Sequence, residues 1–171
     1  MFSEVTHPWP PVCDEHSRIL ILGTFPSPKS REVGFYYGHP QNIFRQTLAE
    51  LLNEPIPDRD RASVAAFLLR NRVALWDVIH SCEIDGASDR SIRNPKPNRF
   101  RPLIDRTDIA AIFTTGRKAT ELFTELCAEE AGMEAVYLPS TSPANRASQA
   151  KPSFMEQWTR ILPYLTDCSA D

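Results

Sequence analysis

Glycine is scarce in this chain, at 6 of 171 residues, while proline reaches 15. Average usage runs the other way, about 7% glycine and 5% proline. The prolines sit between ordinary apolar runs, which excludes a disordered proline-rich tract. Stiff loops with fixed paths are expected instead, because proline pins one backbone dihedral and removes a donor. Cysteine is also thin. Cys13, Cys82, Cys127 and Cys168 lie 69, 45 and 41 positions apart. No C-x2-C pair exists, so zinc and iron–sulfur sites lose their usual support. Four reduced thiols with no shared role are expected. No run approaches the ~18 apolar residues of a membrane span. The opening segment carries Glu4, His7, Pro8, Pro10, Pro11, Asp14, Glu15 and His16 where a secretory leader needs an apolar core. A cytoplasmic protein with no membrane partner is the expectation. Phosphate-cradling glycine loops and a serine nucleophile elbow are missing as well.

What is present is ordinary globular composition, 42% hydrophobic and 24% charged. The length suits one domain spanning residues 1–171, with its core at about 18–165. Net charge is −3, which argues weakly against non-specific coating of nucleic acid. The 19 basic residues are 15 Arg and 4 Lys. Arginine makes bidentate phosphate contacts that lysine does not, although a GC-rich coding sequence gives the same bias.

Four short apolar runs read as buried parallel strands: Arg18–Gly23, Val73–Ile79, Ile109–Thr114 and Glu134–Leu138. Helical stripes separate them, over 42–52, 59–71, 115–131 and 153–165. Asp58 or a neighbour is placed to cap the second helix, and Gly132 to end the third. Alternating strands and helices predict an α/β fold, a three-layer α/β/α sandwich around a parallel sheet of about four strands. Ligands in such folds bind at the carboxyl ends of the strands. Those ends carry three unusual loops, 24–41, 80–106 and 139–152. Pro26, Pro28, Pro40, Pro95, Pro97, Pro139 and Pro143 fall within them. The middle one has no periodicity and reads as a long functional loop. Its stretch from Asp89 to Arg106 holds six basic residues, Arg90, Arg93 and Lys96 among them, against two acids.

Carboxylates are few and scattered in these loops, which disfavours metal-dependent nuclease chemistry. Phe25, Phe35, Tyr36, Tyr37, His39 and Asn42 are concentrated instead. Such a set suits a flat heterocycle held by stacking and by amide hydrogen bonds. Each aromatic taken singly is also a candidate for the core, and Asn42 for a helix cap.

Gly23-Thr24-Phe25-Pro26-Ser27, GFYYGHPQNIF at 34–44, the long block at 75–98, IFTTGRKA at 112–119 and LPSTSPAN at 138–145 occur in order. In these elements the chain resembles the hypoxanthine-DNA glycosylases of the uracil-DNA glycosylase superfamily, over roughly residues 18–165. The HPxNxF element is also similar to the mismatch-specific uracil/thymine branch. The resemblance implies a monofunctional enzyme of base excision repair, without cofactor or metal, acting as a monomer on DNA that contains a deaminated base. Other readings are a uracil or mismatch glycosylase, and a DNA-binding relative that has lost catalysis.

Residue by residue, the first motif corresponds to Gly23, Thr24, Phe25, Pro26 and Ser27, which would contact the base. Phe25 stands where most branches place a water-positioning Asp or Asn, and the resemblance moves that task to Asn42. Tyr37 corresponds to the residue that stacks on the flipped base. His39 or Asn145 would stabilise charge on the departing base. Ser140, Thr141, Ser142, Pro143 and Ala144 correspond to the loop that probes the duplex. Arg146, Arg90, Arg93 and Lys96 would meet phosphates. Arg45 stands where members often carry tryptophan.

Overall fold

The computed structural model describes residues 2–85 and 91–165. Its strands are β1 (Ser3–Thr6), β2 (Ile19–Gly23), β3 (Val73–Asp77), β4 (Ile79–Ile84), β5 (Arg93–Pro97), β6 (Ala111–Thr115) and β7 (Ala135–Leu138). Its helices are α1 (Pro28–Val33), α2 (Phe44–Leu52), α3 (Arg61–Arg70), α4 (Arg101–Asp105), α5 (Arg117–Leu126), α6 (Ala128–Ala131), α7 (Arg146–Gln149), α8 (Pro152–Trp158) and α9 (Leu162–Leu165).

The four apolar runs form one sheet in the order β3-β2-β6-β7, with every pairing parallel. A strand inside such a sheet is covered on both faces, which is why Ile19-Leu20-Ile21-Leu22 is apolar at every position. Successive side chains serve opposite layers. Ile19 and Ile21 pack with Phe44 and Leu48 of α2, Phe67 of α3 and Trp158 of α8. Leu20 and Leu22 pack with Phe100, with Leu103 of α4 and with Phe123 of α5. This is the expected three-layer sandwich. Phe35 and Tyr36 belong to the first layer, at 7% and 6% exposure, so for them the core reading holds.

The stretch 80–106 departs from expectation. It is not one irregular loop: it supplies β4, β5 and α4. A second sheet, antiparallel and ordered β1-β4-β5, grows from the end of β3. Its outer strand reads Arg-Asn-Pro-Lys-Pro, with no apolar alternation and two residues that cannot donate. Proline is tolerated on an edge strand, where one row of N–H groups has no ladder to join. The N-terminal segment is drawn in as well, because β1 pairs with β4 from Ser3↔Ile84 to Thr6↔Ser81. Asn98 clamps the turn from β3 to β4. Its Nδ2 donates to the carbonyls of Asp77 at 2.9 Å and Ile79 at 3.3 Å.

Helix boundaries follow local chemistry. Asp60, rather than Asp58, caps α3, its Oδ2 accepting from Ser63 N at 2.9 Å. Gly132 ends α6 at φ 71°, in the left-handed region that glycine enters freely. The expected last helix is broken into α8, a tighter turn over Thr159–Ile161, and α9. Pro163 has no N–H to give the carbonyl four residues back. Cys82 and Cys127 are buried, and burial pushes the Cys127 thiol up to about 12. Cys168 lies outside the described residues. Among the described residues no helix is long and apolar enough to cross a membrane.

The loop after β7 is tied to the core by a buried bond, Trp158 Nε1 donating to the Pro139 carbonyl at 3.0 Å. Trp158→Phe keeps the ring but strands that carbonyl. Urea denaturation should show a loss of about 1–3 kcal/mol, the cost of an unsatisfied buried acceptor.

Candidate active site

The carboxyl ends of the parallel strands open into a cavity of about 190 Å³. Gly23 ends β2, Asp77 ends β3, and Thr115 ends β6. Thr24, Phe25, Pro26 and Ser27 line it from the loop after β2, with Tyr37, His39 and Asn42 further along. Ser140, Ser142 and Pro143 line it from the loop after β7. Two of the three expected loops therefore converge. Among its described residues the third, 80–106, contributes none to the lining, and Asp77 stands in that sector.

The floor depends on a missing side chain. Gly23 and Asp77 are opposite each other at the last rung of the β2–β3 ladder. A Cβ on Gly23 would sit 2.6 Å from Asp77 Oδ1 and 3.3 Å from the Tyr37 hydroxyl. Thr115 Oγ1 donates to the Leu22 carbonyl at 3.3 Å, so it accepts from the Tyr37 hydroxyl at 3.2 Å. Burial and the nearby Asp77 carboxylate both push the Tyr37 phenol upward, which keeps it protonated. Tyr37 is held at φ 52°, uncommon for a residue with a side chain. Phe44 stacks on one face of its ring at 4.2 Å, leaving only the opposite face or an edge for a ligand.

Asp77 is 4% exposed. Its Oδ2 is bound at 2.8 Å by Nε2 of His7, from the segment just after β1. A carboxylate only accepts, so Nε2 carries the hydrogen. His7 Nδ1 lies 2.9 Å from the Trp9 carbonyl, and Phe25 meets the ring edge-on at 5.8 Å. From sequence Asp77, at a strand end, reads as a catalytic candidate second to a loop cap, and His7 carries no assigned role. Seventy positions separate them, and a histidine beside Pro8 carries no spacing signal. Asp77, an acid closing an apolar strand, was the legible half.

At the rim, His39 Nδ1 accepts from Gln41 N at 3.0 Å, which leaves its hydrogen on Nε2. Asn42 Oδ1 accepts from Phe44 N at 2.9 Å, just ahead of α2, leaving one lone pair on that oxygen. Ser27 is similarly occupied, capping α1 through Ser30 N at 3.1 Å. Phe25 is 8% exposed, with the Arg31 guanidinium 5.9 Å from its ring centre.

The loop from Ser140 to Asn145 is braced from within. Ser140 Oγ accepts from Ser142 N, and Ser142 Oγ accepts from Ala144 N. Gln149 Nε2 donates to the carbonyls of Ser140 and Ser142. Asn145 lines the adjoining groove with Thr24, Thr115 and Ser140. Its Nδ2 donates to the Ser140 carbonyl at 2.9 Å, and it does not line the cavity. Thr141 departs from its expected place on the DNA face. It is 1% exposed, because its carbonyl is drawn to Ile43 N at 3.1 Å. Ala144 and Arg146 are exposed.

The basic stretch also changes character. Arg93 lies at the end of β5 remote from Asp77, paired with Glu83 and 3.4 Å from the Phe2 ring centre. Arg99 faces Glu130, Arg101 binds Asp105, and Arg106 approaches Cys13 Sγ. Lys96 is exposed opposite Ser81, and Arg90 lies outside the described residues. Counting charges along the chain missed Glu83 and Glu130, which the fold brings in. Arg117 and Lys118, which sequence reading passed over, are exposed on a groove that shares Thr24, Thr115, Ser140 and Ser142 with the cavity. Arg45 donates to the Pro57 carbonyl, an internal tie. Among the described residues no cluster of three His, Cys, Asp or Glu side chains could hold a metal ion.

The family model of the uracil DNA glycosylase superfamily matches residues 10–165. The chain belongs to this superfamily. A hypoxanthine DNA glycosylase from Methanosarcina barkeri is 34% identical over 141 residues, 82% of this chain and 88% of that protein. One from Methanosarcina acetivorans is 35% identical over 139 residues, 81% of this chain and 87% of that protein. The solution NMR structure of a candidate uracil DNA glycosylase from Methanosarcina acetivorans superposes with a TM-score of 0.77 at 31% identity, covering 96% of this chain and 99% of that one. For this superfamily member the floor geometry makes a direct demand. Gly23→Ala should cost about 1–3 kcal/mol by denaturation, as overpacking does. Base-release activity should fall far more than stability, because the added methyl displaces Asp77 and Tyr37 together.

Proposed function

We propose that the chain is a monofunctional DNA glycosylase that removes deaminated bases, hypoxanthine foremost, in base excision repair. The observation that carries this reading is the pair of hypoxanthine DNA glycosylases matched over nearly nine-tenths of their own length. A cavity lined by aromatics, hydroxyls, an amide and a histidine supports it. The enzyme works as a monomer in the cytoplasm, and needs neither metal nor cofactor.

The target nucleotide leaves the duplex first, at a cost of a few kcal/mol that is least where pairing is already weakened. Tyr37 and Phe25 wall the flipped base. A backbone N–H of residues 24–27 donates to its six-carbonyl, where adenine offers a donor of its own. A buried donor facing a donor costs about 1–3 kcal/mol. The bond from C1′ to the base nitrogen breaks, and its electron pair leaves with the base. Water adds its oxygen to C1′, and the proton it loses ends on the departing base, which leaves neutral. Asn42 holds that water through the second lone pair of its amide oxygen. His39 Nε2–H faces the negative charge that develops on the base. Preorganised dipoles of this sort are the main catalytic resource where no strong nucleophile is needed. Arg117, Lys118 and Arg146 bind phosphates beside the cavity, while Ser142, Pro143 and Ala144 press on the duplex. Uracil is the second reading, favoured by the description of the superposable structure.

Oligonucleotides carrying inosine, uracil or xanthine at one position test the substrate. Purified protein should leave an abasic site at inosine. Strong uracil release with none from inosine gives the second reading, and binding with no abasic site gives an inactive relative. Asn42→Ala should lower the single-turnover rate by about 10²–10³-fold, the range for removing one preorganised polar group, with DNA affinity unchanged. Arg117→Ala and Lys118→Ala should each reduce the log–log salt slope of duplex binding by about 0.9, and an unchanged slope removes them from the interface.

A further inference from the structure

The loop that carries Tyr37, His39 and Asn42 is incompletely packed against the body. A second cavity, of about 280 Å³, is bordered by Tyr37, Gly38 and Pro40 on the loop and by Phe44, Val64 and Leu75 beyond it. Side-chain packing alone therefore does not fix residues 37–40. Tyr37 is also held at φ 52°, a conformation that persists only where its surroundings over-determine it. Gly38 N ties the middle of the loop by donating to Ser30 Oγ at 2.9 Å. Two exposed arginines meet its ends. Arg61 Nη2 donates to the Gly34 carbonyl at 2.5 Å, and its guanidinium lies 5.6 Å from the Phe35 ring centre. Arg59 Nη2 donates to the Pro40 carbonyl at 2.8 Å. The sequence Arg59-Asp60-Arg61 explains the pairing. Asp60 turns its carboxylate onto Ser63 N to cap α3, with extended backbone at φ −69° and ψ 153°. The two neighbours of an extended residue leave the chain on the same side, so both guanidinium groups reach one loop. Arg45 of α2 binds the Pro57 carbonyl and anchors the segment that delivers them.

We infer that Arg59 and Arg61 are positioning residues that clamp this loop in its catalytic geometry; the inference rests on the glycosylase reading above. Gly34 and Pro40 bracket Tyr37 and His39, and Asn42 follows directly after. With a bond at each end, the phenol ring and the imidazole cannot shift together without breaking one of them. Stacking on Tyr37 and water held by Asn42 both need that precision, because misplacement by ~1 Å can cost about 10²-fold in rate. Exposed arginines beside a DNA-binding cavity are ordinarily assigned to phosphates. These two instead give a donor to carbonyls of the loop itself, so removing either cation frees protein chain rather than DNA. A bond from a charged donor is stronger than a neutral one, and the planar fork of arginine holds its direction better than a lysine ammonium does. Arg70, at the other end of α3, pairs with Glu54 and serves as the contrast.

Single-turnover release of hypoxanthine and hydrogen–deuterium exchange, measured on Arg59→Ala, Arg61→Ala and the double variant, test this. Each single variant should slow release about tenfold and the double variant about 100-fold, as loss of orientation does. Affinity for undamaged duplex and its salt slope should stay as in the wild type. Exchange over residues 34–42 should quicken about tenfold or more in the double variant, as local opening of an unclamped loop allows, while β2 and β6 stay protected. Arg59→Lys keeps a cation able to reach the Pro40 carbonyl and should recover part of the rate lost in Arg59→Ala. Arg70→Ala should leave both rate and exchange unchanged. The single variants carry the test if the double variant loses protection in the sheet. A salt slope lowered by about 0.9 for each arginine assigns them to phosphates and overturns the inference. Unaltered rate and loop exchange in an active protein overturn it as well. No release from any deaminated base by the wild type overturns the glycosylase reading, and loop exchange then decides the clamp by itself.

Discussion

Gly23 and Asp77 share the last rung of the β2–β3 ladder, and the hydrogen on Gly23 is what leaves room for the carboxylate of Asp77. Any Cβ there would lie 2.6 Å from an oxygen that has nowhere to go, because His7 holds its mate from behind. Tyr37 depends on the same gap, since its hydroxyl reaches Thr115 across the Gly23 backbone. In a chain with only six glycines, one is spent at the centre of the cavity floor. The parallel sheet supplies the rung, and three of its four strands end in floor residues.

The second sheet serves this floor from a distance. Pairing of β1 with β4 brings the N-terminal segment alongside the end of β3, and His7 N donates to the His80 carbonyl at 2.6 Å. His7 is thereby delivered to Asp77 from a segment that otherwise has little core of its own. Asn98 fixes the opposite side of the same corner by binding the carbonyls of Asp77 and Ile79. The corner between the sheets is thus held on both sides, and the buried acid within it has one orientation.

Much of this was legible in the sequence, for identifiable reasons. Apolar runs such as Ile19–Leu22 announce strands buried on both faces, and the alternation with amphipathic helices gives the parallel sheet. The loops after β2 and β7 could be placed at one end because strand polarity dictates it. The antiparallel sheet was not legible. Arg93–Pro97 has the composition of a loop, and only its position on an edge makes it a strand. His7 was invisible because its partner is remote in sequence. The basic stretch misled for a related reason: net charge along a segment ignores the acids that folding brings opposite, here Glu83 and Glu130. Thr141 and Asn145 show the same limit at short range. A motif predicts that a loop is present, but not which of its side chains turn inward to brace it.

The central claim is that a flipped base occupies the cavity at the strand ends, above the Gly23–Asp77 rung. A structure of the protein bound to duplex DNA carrying a cleavage-resistant 2′-fluoro-deoxyinosine tests this most directly. The expected result is the base stacked against Tyr37 or Phe25, with its glycosidic nitrogen toward His39 and Asn42. A base seated elsewhere, or turned so that N1 faces the mouth, would contradict it.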